Sequence, residues 1–197
     1  MIHETVVTTV TPEGKPHVAP MGIRHEGDTF FLMPFLPSAT YDNIVSTGCA
    51  VVNFTTDVRV FAGCVTGHRT WRTIDVDSVP CVRLADTLAH AELRLVCVSH
   101  DQQRPTLVMQ RIAMCAHAPF AGLNRAQAAV IEGAVLVSRL AMLPRDKVES
   151  EIAYLSIAIG KTAGPREQQA WQWLMDAVNI FYASPAAAAR ILNEEAL

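Results

Sequence analysis

The sequence has little of what marks several common classes of protein. Charged residues make up 18% of its 197 residues, the formal net charge is −3 at pH 7, and lysine and arginine are not clustered. Binding to nucleic acid requires a basic surface that neutralises phosphates, so we do not expect a nucleic-acid partner. No apolar run reaches the roughly 20 residues that cross a bilayer, because Glu132 and Arg139 interrupt the most apolar stretch. We therefore expect no membrane partner.

Closely spaced metal and redox motifs are also missing. The five cysteines form no CxxC pair, and the seven histidines form no HxH or HxxxH pair. Dispersed cysteines indicate reduced thiols in or near the core, and the histidine spacing predicts no metal site. The first residues, Met1 to Thr5, lack the basic region and apolar segment of a secretion signal. A cytoplasmic location is therefore expected.

Apolar residues are abundant. They make up 50% of the chain, and the mean hydropathy is +0.22. This composition excludes disorder and provides for a large core. The length suits one domain, or one domain with a helical appendage.

The first two thirds of the chain read as short strands. β-Branched and alternating apolar segments separated by turns predict about six strands, at residues 6–10, 16–23, 29–33, 49–54, 91–98 and 106–115. Short turns favour antiparallel pairing, and six strands are enough to close a small barrel.

The last third has helical periodicity. Helices are predicted over residues 124–140, 144–159 and 165–182, with a fourth, short helix over 185–193. The fold class is therefore α+β, with a β-barrel in residues 1–120 and a helical C-terminal region of three to four helices in residues 121–197. We expect that region to pack on the barrel or on another subunit.

A short helix starting near Ser38 is the first candidate site. Ser38 or Thr40 can cap its amides, Gly48 ends it, and no acidic residue precedes Asp42. Unpaired amides and the helix dipole favour an anion at such an end. The alternative is an ordinary capped connector between two strands.

Residues 19–22 are the second candidate site. Pro20 lacks an N–H donor and Gly22 lacks a side chain, so the backbone there can come close to a flat ligand. Thr8, on the preceding strand, is placed to line the same surface. The alternatives are an edge-strand bulge at residues 19–22 and a solvent-facing strand threonine at position 8.

The motifs Ala19-Pro-Met-Gly22, Pro37-Ser-Ala-Thr-Tyr-Asp-Asn-Ile44 and Gly48-Cys-Ala-Val-Val-Asn53 resemble those of FMN-binding split barrels. The resemblance is best over residues 4–60. It is to an uncharacterised family of methanogenic archaea and methylotrophic bacteria, related to flavin reductases and flavoredoxins. The segment from Asn124 to Arg139 resembles the helical tail of the same family.

The resemblance implies a homodimer that binds FMN, with the phosphate at Ser38, Thr40 and Asn43 and the ring along residues 19–22. The implied cofactor-binding residues are Thr8, Ala19, Pro20, Met21, Gly22, Ser38, Thr40, Tyr41, Asn43 and Asn53. Relatives often add a basic residue at the phosphate, yet none lies between Arg24 and Arg59. Arg59, Arg69, Arg72 or a residue of the partner chain is then expected to fill that role.

Three functions are compatible with this reading. The first is an FMN-dependent oxidoreductase acting on a small molecule, for which the family's organisms suggest a pterin-type one-carbon carrier. The second is a non-catalytic module that holds flavin or haem as a store or sensor. The third is an assembly subunit with a vestigial site, whose apolar helical tail forms an interface.

Overall fold

The structure is a computed structural model that describes residues 1–99, 101 and 103–183. The predicted helix at 185–193 lies outside these residues. The chain forms two compact units. Within the described residues, the barrel unit comprises Met1–Thr55 and Thr70–Phe120, and the helical unit comprises Thr56–Arg69 and residues 121–183. Residues 56–69, placed by the sequence with the barrel, belong to the helical unit because Val58 and Ala62 pack into its core.

In its described residues, the barrel unit contains eight strands and one helix. The strands are β1 (His3–Val10), β2 (Pro16–Glu26), β3 (Thr29–Leu32), β4 (Cys49–Phe54), β5 (Thr73–Asp75), β6 (Val82–Leu84), β7 (Ala89–Ser99) and β8 (Thr106–Ala116), and the helix is α1 (Ala39–Thr47). Six of them close an antiparallel barrel in the order β1-β2-β3-β8-β7-β4. The prediction of an α+β fold built on a six-stranded antiparallel barrel is confirmed.

Alternate residues of each strand fill the barrel. Val7, Val52 and Ala91 face one another across β1, β4 and β7, and all three are fully buried. Phe30 and Met109 add bulk from β3 and β8. Because successive strand residues point to opposite faces, Thr8, Val51 and Glu92 lie on the outside of the same three strands.

A two-stranded hairpin covers part of this outer surface. We call residues 73–84, which contain β5, β6 and the loop between them, the strap. Val79, Cys81 and Val82 of the strap pack with Cys49 and Val51 of β4. The sequence did not predict the strap, because its strands are three residues each and too short to show alternation.

The helical unit is formed by α2 (Arg59–Thr66), α3 (Arg125–Val137), α4 (Arg145–Thr162) and α5 (Pro165–Ala183). Asn124 caps α3, its Oδ1 accepting from the amide of Ala126 at 2.7 Å. α4 runs past its predicted end at residue 159 to Thr162, and the chain leaves the helix at Ala163. None of the helices in residues 1–99, 101 and 103–183 has the length and apolarity that crossing a bilayer requires.

Candidate functional site

The first turn of α1 is capped and leaves two donors over. Ser38 is the N-cap, and its Oγ accepts from the amide of Tyr41 at 3.2 Å, while its carbonyl accepts from Asp42 at 3.0 Å. The first four amides of a helix have no intrahelical acceptor, so those of Ala39 and Thr40 remain for an outside group. The Ser38 hydroxyl, an acceptor in the cap, can still donate its own hydrogen. This end of α1 is therefore built to receive an anion.

Two arginines stand beside the segment that leads into α1. The Arg104 guanidinium lies over the Phe35 ring at 4.5 Å and its Nε donates to the carbonyl of Met33 at 3.3 Å. Arg24 Nη2 contacts the sulfur of Met33 at 3.2 Å. A positive field therefore surrounds the chain three to five residues before Ser38. Sequence reasoning missed both side chains, because β2 and the loop before β8 meet this segment only in the fold.

Two of the arginines proposed from sequence have acidic partners. Arg59 lies in the helical unit, where its guanidinium pairs with Asp57 at 2.5 Å. Arg72 lies 3.9 Å from Asp86 on the exposed surface of the barrel unit.

The other α1 residues of the predicted site face the barrel. Asn43 Nδ2 donates to Thr9 Oγ1 at 2.9 Å, which ties α1 to β1. Thr40 is also buried, at 2% exposed. Tyr41 is half-buried and packs against the barrel core.

Residues 19–22 lie where the barrel ladder is interrupted. β2 pairs with β1 from Pro16 to Ile23, but β3 pairs with β2 only from Ile23 onward. On the side of β2 that faces away from β1, residues Ala19–Gly22 therefore form no β2–β3 pairs in the described chain. All four residues are half-buried. Backbone groups at such an edge can bind the rim of a flat ring.

The side chains of this stretch alternate in direction. Ala19 pairs with the inward-facing Val7, and Met21 packs against the barrel core. Pro20 and Gly22 lie on the opposite, outer face. A Cβ built on Gly22 would come within 2.9 Å of the Ile2 side chain. The missing side chain at Gly22 therefore makes room for Ile2.

Thr8 and Asn53 have a structural role in this fold. The Thr8 hydroxyl donates to the carbonyl of Val82 at 2.5 Å, and Asn53 Oδ1 accepts from the amide of Leu84 at 2.7 Å. Both side chains are fully buried, and Asn53 Nδ2 lies 3.0 Å from Thr8 Oγ1. Their polar atoms hold the strap onto β1 and β4. We therefore remove both side chains from the proposed cofactor contacts, because their polar atoms are bonded to protein groups.

A chain of three titratable groups runs from under the strap to the surface. Glu92 Oε2 accepts from the amides of Ser78 and Val79 at 2.6 and 3.1 Å. Glu92 Oε1 lies 3.4 Å from His90 Nε2, and His90 Nδ1 lies 2.8 Å from His117 Nε2. Sequence reasoning missed this chain; the only signal was the spacing of His90 and Glu92, which puts both on one face of a strand.

The two imidazoles have lowered pKa values. Burial is the largest cause for His90, and the neighbouring Glu92 opposes it. Desolvation is also the largest cause for His117, followed by the charge of Arg83. Both imidazole rings therefore become protonated only at a lower pH than the side chain of a free histidine does.

The cysteines are placed differently from one another. Cys49 of β4 and Cys81 of the strap are both buried, and the hydrogen bond between their thiols lowers the pKa of Cys49 and raises that of Cys81. Cys97 and Cys115 are exposed, so the prediction that all five lie in or near the core is wrong for these two. Nowhere in the described chain do three histidine, cysteine, aspartate or glutamate side chains group as a metal site would require.

Comparison with solved structures agrees with the fold. An FMN-bound protein from Methanosarcina mazei, of the family DUF447, superposes with a TM-score of 0.76 at 20% identity, covering 89% of this chain and 94% of its own. An FMN-binding protein from Thermus thermophilus, solved with bound 1-cyclohex-2-enone, gives 0.50 at 14% identity over 57% and 69%. The NADH:FAD oxidoreductase of Streptomyces globisporus gives 0.50 at 9% identity over 59% and 72%. At these identities the matches show the fold.

Comparison with protein families gives the relationship. No curated protein matches the sequence. A family model described as the N-terminal domain of a protein of unknown function, DUF447, matches residues 3–118. A second model, described as protein of unknown function DUF447, matches residues 124–176. The resemblance drawn from the sequence motifs is thereby confirmed, and the chain belongs to the DUF447 family.

Proposed function

We propose that this protein is an FMN-binding flavoprotein and an oxidoreductase acting on a small molecule. The observation that carries the proposal is the start of α1, where Ser38 and two spare amides meet a segment flanked by Arg24 and Arg104. The FMN-bound relative from Methanosarcina mazei, which has the same fold over most of its length, supports the choice of ligand.

The residues present fit a phosphate. A phosphate monoester carries close to two negative charges and three acceptor oxygens. The amides of Ala39 and Thr40 and the Ser38 hydroxyl supply three donors, and the positive end of the α1 dipole favours the charge. Arg104, held beside Phe35, adds a guanidinium suited to bidentate contact with phosphate.

The flat part of the cofactor has a matching surface on β2. Residues 19–22 offer backbone groups at a strand edge and half-buried side chains. Bound there, FMN would supply hydride transfer. The chain's own contribution would be to hold the ring through backbone donors and to shield one face from water. Such chemistry requires no side-chain acid or base at the ring itself.

Flavin content is the direct test. The purified protein, or the protein mixed with FMN and desalted, is expected to show the absorption bands of oxidised flavin in stoichiometric amount. Riboflavin, which lacks the phosphate, is expected to bind about 100-fold more weakly, since charge-assisted hydrogen bonds contribute about 1.5–3 kcal/mol each. Equal affinity for the two would contradict a phosphate site at α1, and no affinity for either would end the flavin proposal.

Variants then locate the phosphate. Arg104→Gln is expected to weaken FMN binding by at least 10-fold and to leave riboflavin binding unchanged. Arg94→Gln, on an exposed position of β7, is the matched control and is expected to change neither. If Arg104→Gln behaves like this control, the phosphate is bound without Arg104.

The rate at which bound flavin is reduced distinguishes an oxidoreductase from a non-catalytic flavin store. A reductase is expected to lose its flavin colour within seconds when mixed anaerobically with NADH or with a reduced pterin, the substrate class suggested by the family resemblance. A flavin that stays oxidised with both reductants would favour the role of store or sensor.

We also propose that the protein is a homodimer. Large apolar side chains stay exposed on the barrel unit, among them Phe35 at 66% and Val96 at 62%, with Met114 on β8 half exposed. Apolar surface of this kind is typical of protein interfaces. Light scattering after size exclusion is expected to give twice the 21.5 kDa chain mass, and a monomer at micromolar concentration would contradict the proposal.

A further inference from the structure

The chain of Glu92, His90 and His117 has a definite polarity. Glu92 and His90 are 2% and 4% exposed, whereas His117 is exposed. The amides of Ser78 and Val79 both donate to one carboxyl oxygen of Glu92, a contact that suits a carboxylate acting as acceptor. The other oxygen faces His90 Nε2 at 3.4 Å. His90 therefore carries its proton on Nε2 and donates it to Glu92.

The next link follows from the two nitrogens of a neutral imidazole. With its proton on Nε2, His90 presents Nδ1 as an acceptor. Nε2 of His117, 2.8 Å away, must then be the donor. A neutral His117 with its proton on Nε2 has a lone pair on Nδ1. The backbone around it is fixed, since the amides of His117 and Ala118 both donate to the carbonyl of Leu88.

We infer that Nδ1 of His117 is a proton-accepting site, held in that state by the buried carboxylate of Glu92 acting through His90. His117 is the residue that meets the ligand, and His90 and Glu92 are positioning residues. When a ligand group X–H binds, the X–H bond breaks, the proton forms a bond to Nδ1, and the electron pair stays on X. The assignment does not depend on the flavin.

The surrounding charges indicate the class of ligand. Arg83 of β6 places a positive charge near both imidazoles, and Asp77 of the strap acts on His90 in the opposite sense. A cation beside His117 stabilises an anion formed when the ligand gives up its proton. The site therefore suits weak acids such as phenols and enols, whose conjugate bases are negative.

The lowered pKa values agree with this role. A general base must be unprotonated at working pH, and burial, with the charge of Arg83, lowers the pKa of both His90 and His117. The groups facing the chain are Glu92 on β7, Arg83 on β6 and Asp77 in the strap.

The tautomers can be read directly. Long-range proton–nitrogen correlation spectra of protein labelled with nitrogen-15 histidine distinguish Nε2–H from Nδ1–H rings. At pH 7.5 we expect Nε2–H for both His90 and His117, with His90→Asn and His117→Asn assigning the signals. Nδ1–H in either ring, or a mixture of tautomers at His117, would overturn the inference.

Glu92→Gln tests the carboxylate's control over the exposed ring. The glutamine oxygen is needed as acceptor for Ser78 and Val79, so its NH₂ group must face His90 and donate to Nε2. His90 would then hold its proton on Nδ1 and donate to His117, and both rings would change to Nδ1–H. Glu26→Gln, at an exposed position of β2, is the control and should leave both rings unchanged.

A chemical probe gives a second measurement. Diethyl pyrocarbonate modifies unprotonated imidazole nitrogens, and the peptide containing His117 can be followed by mass spectrometry, with the exposed His68 as internal reference. In Glu92→Gln the remaining lone pair of His117 accepts a hydrogen bond, so we expect modification at least 10-fold slower. Equal rates would overturn the inference. If this variant does not fold, the wild-type tautomers alone decide.

Discussion

Asn53→Ala is expected to destabilise the barrel unit without weakening flavin binding. Asn53 Oδ1 accepts from the amide of Leu84, and Nδ2 donates to Val6 and Thr8, all in a fully buried position. Each buried group left without a partner costs about 1–3 kcal/mol. Two or three such groups give a loss of about 3–5 kcal/mol, a large part of the roughly 5–15 kcal/mol that stabilises a domain.

Urea unfolding and thermal unfolding, both followed by circular dichroism, measure this loss. A protein of this length changes its melting temperature by about 2–4 °C per kcal/mol, so a decrease of about 10 °C is expected. Asn179→Ala, at an exposed position of α5, should stay within about 0.5 kcal/mol of the parent protein. A loss below 1 kcal/mol for Asn53→Ala would refute the account of the strap. A large loss of FMN affinity in the folded variant would return Asn53 to the cofactor contacts.

Two further predictions concern packing and pH. Gly133→Ala should destabilise the helical unit by about 1–3 kcal/mol, because the new Cβ would come within 2.9 Å of the Trp171 side chain. Gly160→Ala has open space around the new Cβ and should stabilise α4 by about 0.5–1 kcal/mol. Equal effects of the two substitutions in thermal unfolding would contradict this. Burial lowers the pKa of His90, so the folded protein resists its protonation, and stability should be complete above about pH 6.5 and fall below it by at most about 1.4 kcal/mol per pH unit. His90→Asn should flatten this dependence in urea unfolding measured from pH 7.5 to pH 5, and an unchanged slope would argue against it.

Local patterns were enough to predict most of the barrel and the helices. Ser38 and Gly48 act as the cap and the stop of α1, and Asn124 caps α3. Each of these signals is a residue type next to the helix end that it marks, so it can be recognised without knowing the fold. The predicted end of α4 at residue 159 falls short of Thr162, because a single glycine is a weak helix former but does not by itself end a helix.

The polar network under the strap could not be predicted in this way. Thr8 was predicted to contact the ligand from its place on the strand before residues 19–22, and Asn53 from the family resemblance. The partners, Val82 and Leu84, come from a hairpin too short to recognise. Glu92 read as the polar side of an amphipathic strand, since nothing local shows that Ser78 and Val79 cover it. Long-range burial, rather than periodicity, decides these roles.

A crystal structure of the protein grown with FMN tests the central claim most directly. The account expects the phosphate within hydrogen-bond distance of Ser38 Oγ and of the amides of Ala39 and Thr40, with Arg104 turned toward it and the ring along residues 19–22. Density for the phosphate at any other place, with the first turn of α1 facing only protein or solvent, would contradict it.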